Sequence, residues 1–114
     1  MTTTKTNVLL ARLMELSLAL AYEVTTRPMM GGHIAYADGR VFVSISSGGL
    51  GIKLLPQDQL RALERPRACR MRHSPTDPPS KSYITFASSD IADDDLMIEW
   101  LQLAASTAPA RKKR

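Results

Sequence analysis

Between Val8 and Tyr22 the apolar positions fall on one side of a helix, because Leu9, Leu13, Leu16 and Leu20 recur at three- and four-residue intervals. Thr6 or Asn7 supplies a cap. The spacing therefore predicts a first helix from residue 7 to about Tyr22, with polar residues 1–6 frayed ahead of it. Leu10, Met14 and Leu18 widen the stripe beyond what one sheet face needs. They either sink into the same sheet or serve a contact with a second copy of the chain.

After Tyr22 the period changes. Val24 to Met29 is β-prone, Gly31-Gly32 allows a bulge or a sharp bend, and His33 to Tyr36 resumes the strand. Ala37-Asp38-Gly39 is a strong hairpin signal. Val41, Val43 and Ile45 alternate with Phe42, Ser44 and Ser46, which predicts a strand with one apolar face. Ser47-Gly48-Gly49 turns the chain into a third strand carrying Leu50, Ile52 and Leu54. Tight turns between consecutive strands imply an antiparallel meander.

Pro56 opens a short helix at a position where its missing donor costs nothing, with Leu60 and Leu63 facing inward and Pro66 closing it. Arg67 to His73 reads as a fourth strand, Cys69 and Met71 on one face and Arg70 and Arg72 on the other. A proline-rich loop over 74–80 leads to a fifth strand, Ser82 to Ala87. The last helix starts at Ser89, Asp90 or slightly later, with Asp93, Asp94 and Asp95 at the positive end of its dipole. Met97, Leu101 and Ala104 share a face, with Trp100 beside them. The expected architecture is one α+β domain over residues 1–106, in the order α-β(3)-α-β(2)-α. It has two layers, with the helices at 7–22 and 93–106 on one face of a five-stranded antiparallel sheet. Residues 107–114 read as a basic, mobile tail.

Charge sharpens this picture. The net charge of +4 comes from Arg111, Lys112, Lys113 and Arg114, so the body of the chain is neutral. A basic tail is a weaker sign of nucleic-acid binding than a basic folded face. The single cysteine, Cys69, excludes an internal disulfide and a four-cysteine zinc site, and fits a reducing, cytoplasmic setting. Arg12 and Glu15 interrupt the apolar run 8–22, which is too short and too charged for a membrane span or a signal peptide. No membrane partner is expected.

Candidate chemistry is sparse. Only His33 and His73 could act as an imidazole base, and neither lies in a nucleophile motif. Cys69 and His73 are four residues apart on one expected strand, about 13 Å along it, which is beyond hydrogen-bond reach. Cys69 reads as a small buried thiol. The dipole explains Asp93 to Asp95 better than a metal does. Neither glycine-rich stretch continues into a P-loop. No enzyme activity, cofactor or metal is expected. The densest charged feature is Arg61, Arg65, Arg67, Arg70 and Arg72, which forms either an anion or nucleic-acid surface or a solvated strand face partly neutralised by Asp90 to Asp95.

Arg27-Pro28-Met29-Met30-Gly31-Gly32-His33, then Tyr36-Ala37-Asp38-Gly39, then Leu50-Gly51-Ile52-Lys53 form an ordered series. It resembles the N-terminal domain of the TfoX (Sxy) family, in which an arginine precedes Met-Phe-Gly-Gly, an aspartate–glycine hairpin and a Leu-Tyr-Leu-Lys strand. Tyr83, the acidic helix start and Glu99-Trp100 extend the likeness over roughly residues 7–106. Arg27, Met29, Gly31, Gly32, Asp38, Gly39 and Lys53 match the pattern, whereas Met30 replaces the usual phenylalanine and Gly51 the usual tyrosine. The resemblance implies a fold similar to type III secretion chaperones, which often pair, and a link to regulation of natural competence beside a transcription activator. The sequence is expected to hold that N-terminal domain without the second, helical one. The leading expectation is a non-enzymatic regulatory module acting through protein contacts, with pairing as a homodimer a further expectation. The alternative is a direct, weak nucleic-acid or anion binder using the arginines of 61–72.

Overall fold

The computed structural model describes residues 2–29, 32–46, 49–72, 76 and 78–107. Its elements are α1 (Thr2–Ser17), β1 (Val24–Met29), β2 (Gly32–Ala37), β3 (Arg40–Ser46), β4 (Gly49–Lys53), α2 (Pro56–Ala62), β5 (Cys69–Arg70), β6 (Tyr83–Thr85), α3 (Ser88–Ile91) and α4 (Asp94–Thr107). The strands form one sheet in the order β1-β2-β3-β4-β6-β5, and every neighbouring pair is antiparallel. The class is α+β as expected, but the sheet has six strands rather than five.

The extra strand arises at the glycine pair. Residues 24–36 do not make one bent strand; they make a hairpin in which Met29 stands opposite Gly32. A side chain at Gly32 would run into the carbonyl of Ile45 and the backbone of Ser46, so the third strand comes too close for any Cβ there. The next turn behaves as the sequence predicts. Asp38 and Gly39 both take positive φ, 51° and 83°, which matches the twist of the flanking strands. Asp38 also ties down the start of β1, since Glu23 N–H donates to Asp38 Oδ1 at 2.8 Å.

Simple alternation fails in β3. Ala35 pairs with Val43 and Tyr36 with Val41, which leaves Phe42 as an extra residue in a bulge. The bulge lets Phe42 join Val43 and Ile45 in the core, all three essentially inaccessible to solvent. Val41, expected on the core face, instead stands opposite Tyr36 on the other side.

Helix α1 is shifted towards the N-terminus relative to expectation. It begins at Thr2 and ends at Ser17, where the Ser17 hydroxyl donates to the Leu13 carbonyl at 2.7 Å and the chain tightens into successive turns. Leu13 and Leu16 are buried, Leu9 and Leu20 pack at the edge of the core, and Leu18 projects into solvent. Helix α2 is rotated too. It buries Gln59 and Ala62, while Leu60 is exposed because the helix turns its polar Gln59 inward to bond the chain. Gln59 Nε2 donates to the carbonyls of Leu54 (2.7 Å) and Lys81 (2.9 Å), and Oε1 accepts from Arg70 at 2.7 Å. That amide is fully used, so its burial is tolerated.

The expected fourth strand shortens to Cys69–Arg70, and the last helix divides into α3 and α4. Asp93 Oδ1 accepts the Leu96 N–H at 3.1 Å and so starts α4. Helices α1 and α4 lie against β3 and β4. The core gathers Leu13, Phe42, Val43, Ile45, Ile52, Ile84, Met97 and Leu101, with Phe86 and Trp100 in a tilted ring contact at 5.5 Å. Each large apolar side chain buried there stabilises the fold by about 1.5–3 kcal/mol.

Gly32→Ala is expected to destabilise the domain by about 3 kcal/mol or more, because rigid backbone rather than a side chain must give way. A urea unfolding midpoint indistinguishable from that of the parent chain would refute this reading of the hairpin. Gly51 provides a second check, since a Cβ there would meet the Met71 sulfur and Tyr83 Cβ. Gly51→Tyr alone should destabilise by about 1–3 kcal/mol, and Met71→Ala in the same chain should recover part of the loss.

Candidate interaction surface

Three of the five clustered arginines turn back onto the protein. Arg65 makes two hydrogen bonds to the Asp90 carboxylate, from Nε at 3.1 Å and Nη2 at 2.9 Å. Arg70 Nη1 donates to Gln59. Arg61 lies 4.9 Å from the Trp100 ring centroid and 3.5 Å from Asp58, a cation over an aromatic face at the surface. Arg67 is exposed with a left-handed backbone, φ 66°, in the turn before β5, and Arg72 is exposed beyond β5. The cluster is therefore divided, three guanidinium groups bonding within the protein while Arg67 and Arg72 lie exposed. Arg12 acts in the same internal way. It donates to the Ile91 carbonyl from Nε (3.0 Å) and Nη2 (2.9 Å), and pairs with Asp94 and Glu15.

Asp90 takes its charge state from this arrangement, since the Arg65 hydrogen bonds hold its carboxyl below the ordinary aspartate range. The other expected features are redistributed. Cys69, read as buried, is exposed at the sheet edge, where its sulfur lies 3.3 Å from Thr85 Oγ1, because a two-residue edge strand has no cover on that side. His73 lies outside the described residues, as do Met30, Gly31 and the tail 108–114.

All the helices contribute to one core cluster, which leaves the opposite face of the sheet without helical cover among the described residues. That face carries Thr25, Arg27 and Met29 on β1, Ile34 and Tyr36 on β2, Val41 on β3, Lys53 on β4 and Tyr83 on β6. Met29 is half exposed, and Lys53 stands directly opposite Tyr83. Towards β5, Met71 fills the space over Gly51. Burial raises the Tyr83 phenol above its ordinary pKa, and Tyr36 adds to the effect. No Asp or Glu falls within any of the six strands, whose charged residues are Arg27, Arg40, Lys53 and Arg70. Arg27 and Lys53 have no hydrogen-bond or ion-pair partner among the described residues. Lys53 and Lys81 line an open depression of about 240 Å³ with Leu54, Leu55, Pro56, Gln59, Ser82 and Thr107, at the junction of β4 with the helices.

A family model for the TfoX N-terminal domain matches residues 16–108. The chain belongs to that family. No curated protein and no solved structure matches it. Within the TfoX domain, the motif residues separate into two roles. Gly32, Asp38 and Gly39 shape hairpins, whereas Arg27, Met29 and Lys53 present side chains on the uncovered face. Sequence reading had grouped these residues only by resemblance. The sequence signal for the face is the absence of carboxylates from the β-prone segments, a weaker cue than the denser arginines of 61–72.

Asp90→Asn should remove a pH-dependent part of the stability of this TfoX domain. A depressed folded-state pKa gives stability that is complete above about pH 4, the ordinary aspartate value, and is lost as pH falls through the lower folded value. The difference in unfolding free energy between the parent and Asp90→Asn should therefore shrink on acidification from pH 6 to pH 3. A constant difference across that range would show that the Arg65 pair carries no linked proton.

Proposed function

We propose that this TfoX domain is a non-enzymatic regulatory module that holds a macromolecular partner on the uncovered face of its sheet. The observation that carries the reading is the pair Arg27 and Lys53. Both are motif cations on that face and lack any partner within the described chain, while Arg12, Arg61, Arg65 and Arg70 are all engaged. A cation kept beside apolar and aromatic surface with nothing to neutralise it is placed for an external group. The arginines of 61–72 support the alternative anion surface less well, because the bonds of Arg65 and Arg70 would have to break to serve a ligand. The family supports a regulatory setting, and the lone cysteine a reducing, cytoplasmic one.

Lys53→Glu should leave thermal unfolding nearly unchanged, within about 0.5 kcal/mol, because the Lys53 side chain has no bond to lose among the described residues. The same substitution should abolish the transcript changes that separate host cells carrying the gene from cells lacking it. If Glu99→Lys, on the exposed side of α4, is equally damaging while Lys53→Glu is silent, the working surface lies on the helices instead.

A separate surface on α1 is proposed for self-association. Val8, Met14 and Leu18 are exposed on or just beyond α1, at 62%, 40% and 89%. Two copies meeting through α1 would leave the sheet face open for the partner. Sedimentation at high micromolar concentration should show a dimer that Leu18→Glu converts to monomer; a parent chain that stays monomeric there would rule this contact out.

A further inference from the structure

Taking the uncovered face as the working surface, we infer that its ligand is a single-stranded nucleic acid, with bases on Tyr36 and Tyr83 and phosphates near Arg27, Lys53 and Lys81. Charge sorting comes first. The strands contain no carboxylate, while Glu15, Asp93, Asp94, Asp95 and Glu99 all lie on or beside α1 and α4. An anion approaching the sheet therefore meets only positive side chains from the strands. A second copy docking through the same face would set cations against cations, which disfavours a face-to-face dimer.

The tyrosines narrow the class of anion. Tyr36 and Tyr83 are partly exposed on the same face, and Lys53 is the direct cross-strand neighbour of Tyr83. Aromatic rings interleaved with cations suit unstacked bases joined by phosphates, because every base offers a π-face and every linkage a charge. A duplex keeps its bases stacked inside and would leave the rings unused. An acidic peptide would use the cations alone. Lys53 and Lys81 line one depression together with Gln59 of α2 and Thr107 of α4, so two cations border the rim of the sheet where β4 leads into α2.

The test uses the full chain with Arg111, Lys112, Lys113 and Arg114 all changed to Gln, so that the tail contributes nothing. Anisotropy of a fluorescein-labelled dT12 or rU12 strand should report binding at 50 mM salt. Tyr36→Ala should weaken it about 5- to 150-fold, and Tyr36→Phe should retain it. Lys53→Gln should reduce the slope of log affinity against log salt by about 0.7, the value for one phosphate on a single strand. Because Tyr83 is largely buried, Tyr83→Phe and oligonucleotide-induced amide shifts at Thr25, Arg27 and Lys53 replace its alanine variant. Binding that needs the basic tail, or that ignores Tyr36→Ala, overturns the inference. If poly-glutamate shifts those amides and dT12 does not, the face remains a binding surface but its ligand is an acidic protein segment. If neither probe shifts them, the face is not the working surface either.

Discussion

The extra residue in β3, the strand that both α1 and α4 lie against, turns Phe42 into the core. With strict alternation Phe42 would face away from the helices and Val41 would take its place, leaving a smaller side chain in the core. The bulge therefore decides how much apolar surface the two helices bury, and with it most of the stability available to a domain of this size. It also sends Val41 to the far side, where it adds to the uncovered face. One irregularity thus fills the core and shapes the surface opposite.

Cations in this molecule serve two ends, and the sheet separates them. On the helical side, Arg12 and Arg65 tie down the short α3 turn, one through the Ile91 carbonyl and Asp94, the other through Asp90. Arg70 completes the bonding of a buried amide, and Arg61 rests on Trp100. These groups hold irregular backbone in place where neither helix nor strand supplies the hydrogen bonds. On the other side, the Arg27 and Lys53 side chains have no bonding partner among the described residues. The contrast gives the charge on the sheet face its meaning, since Arg12, Arg61, Arg65 and Arg70 each bond a carboxylate, a carbonyl or an amide oxygen of the fold itself.

Gly51 shows how a departure from the family pattern is accommodated. The strand position that usually carries a tyrosine is bare here, and the thioether of Met71 lies across it. Methionine is unbranched and adaptable enough to fill an irregular gap of that kind. The aromatic area lost at 51 is therefore replaced by aliphatic packing, and the ring character of the face rests on Tyr36 and Tyr83.

Local signals were legible in the sequence wherever a residue's own backbone preference decides the structure. The Asp38-Gly39 turn, Pro56 at the head of α2, the capping aspartates before α4 and the apolar faces of Leu9/Leu13/Leu16 and Met97/Leu101/Ala104 all depend on chemistry within a few residues. The tertiary structure decided what depends on partners distant in the chain. Gly32 became a hairpin rather than a bend because of the backbone of Ile45 and Ser46. Phe42 turned inward because β2 pairs around it, and α1 ended at Ser17 where its hydroxyl and the following turns redirect the chain towards β1. Five neighbouring arginines dispersed because Asp90, Gln59 and Trp100, from other elements, each captured one. Sequence alone determined which segments could be helix or strand, since that follows from short-range sterics and periodicity. Which side chains remain without a partner among the described residues, and which face of the sheet the helices leave uncovered, follows only from long-range pairing.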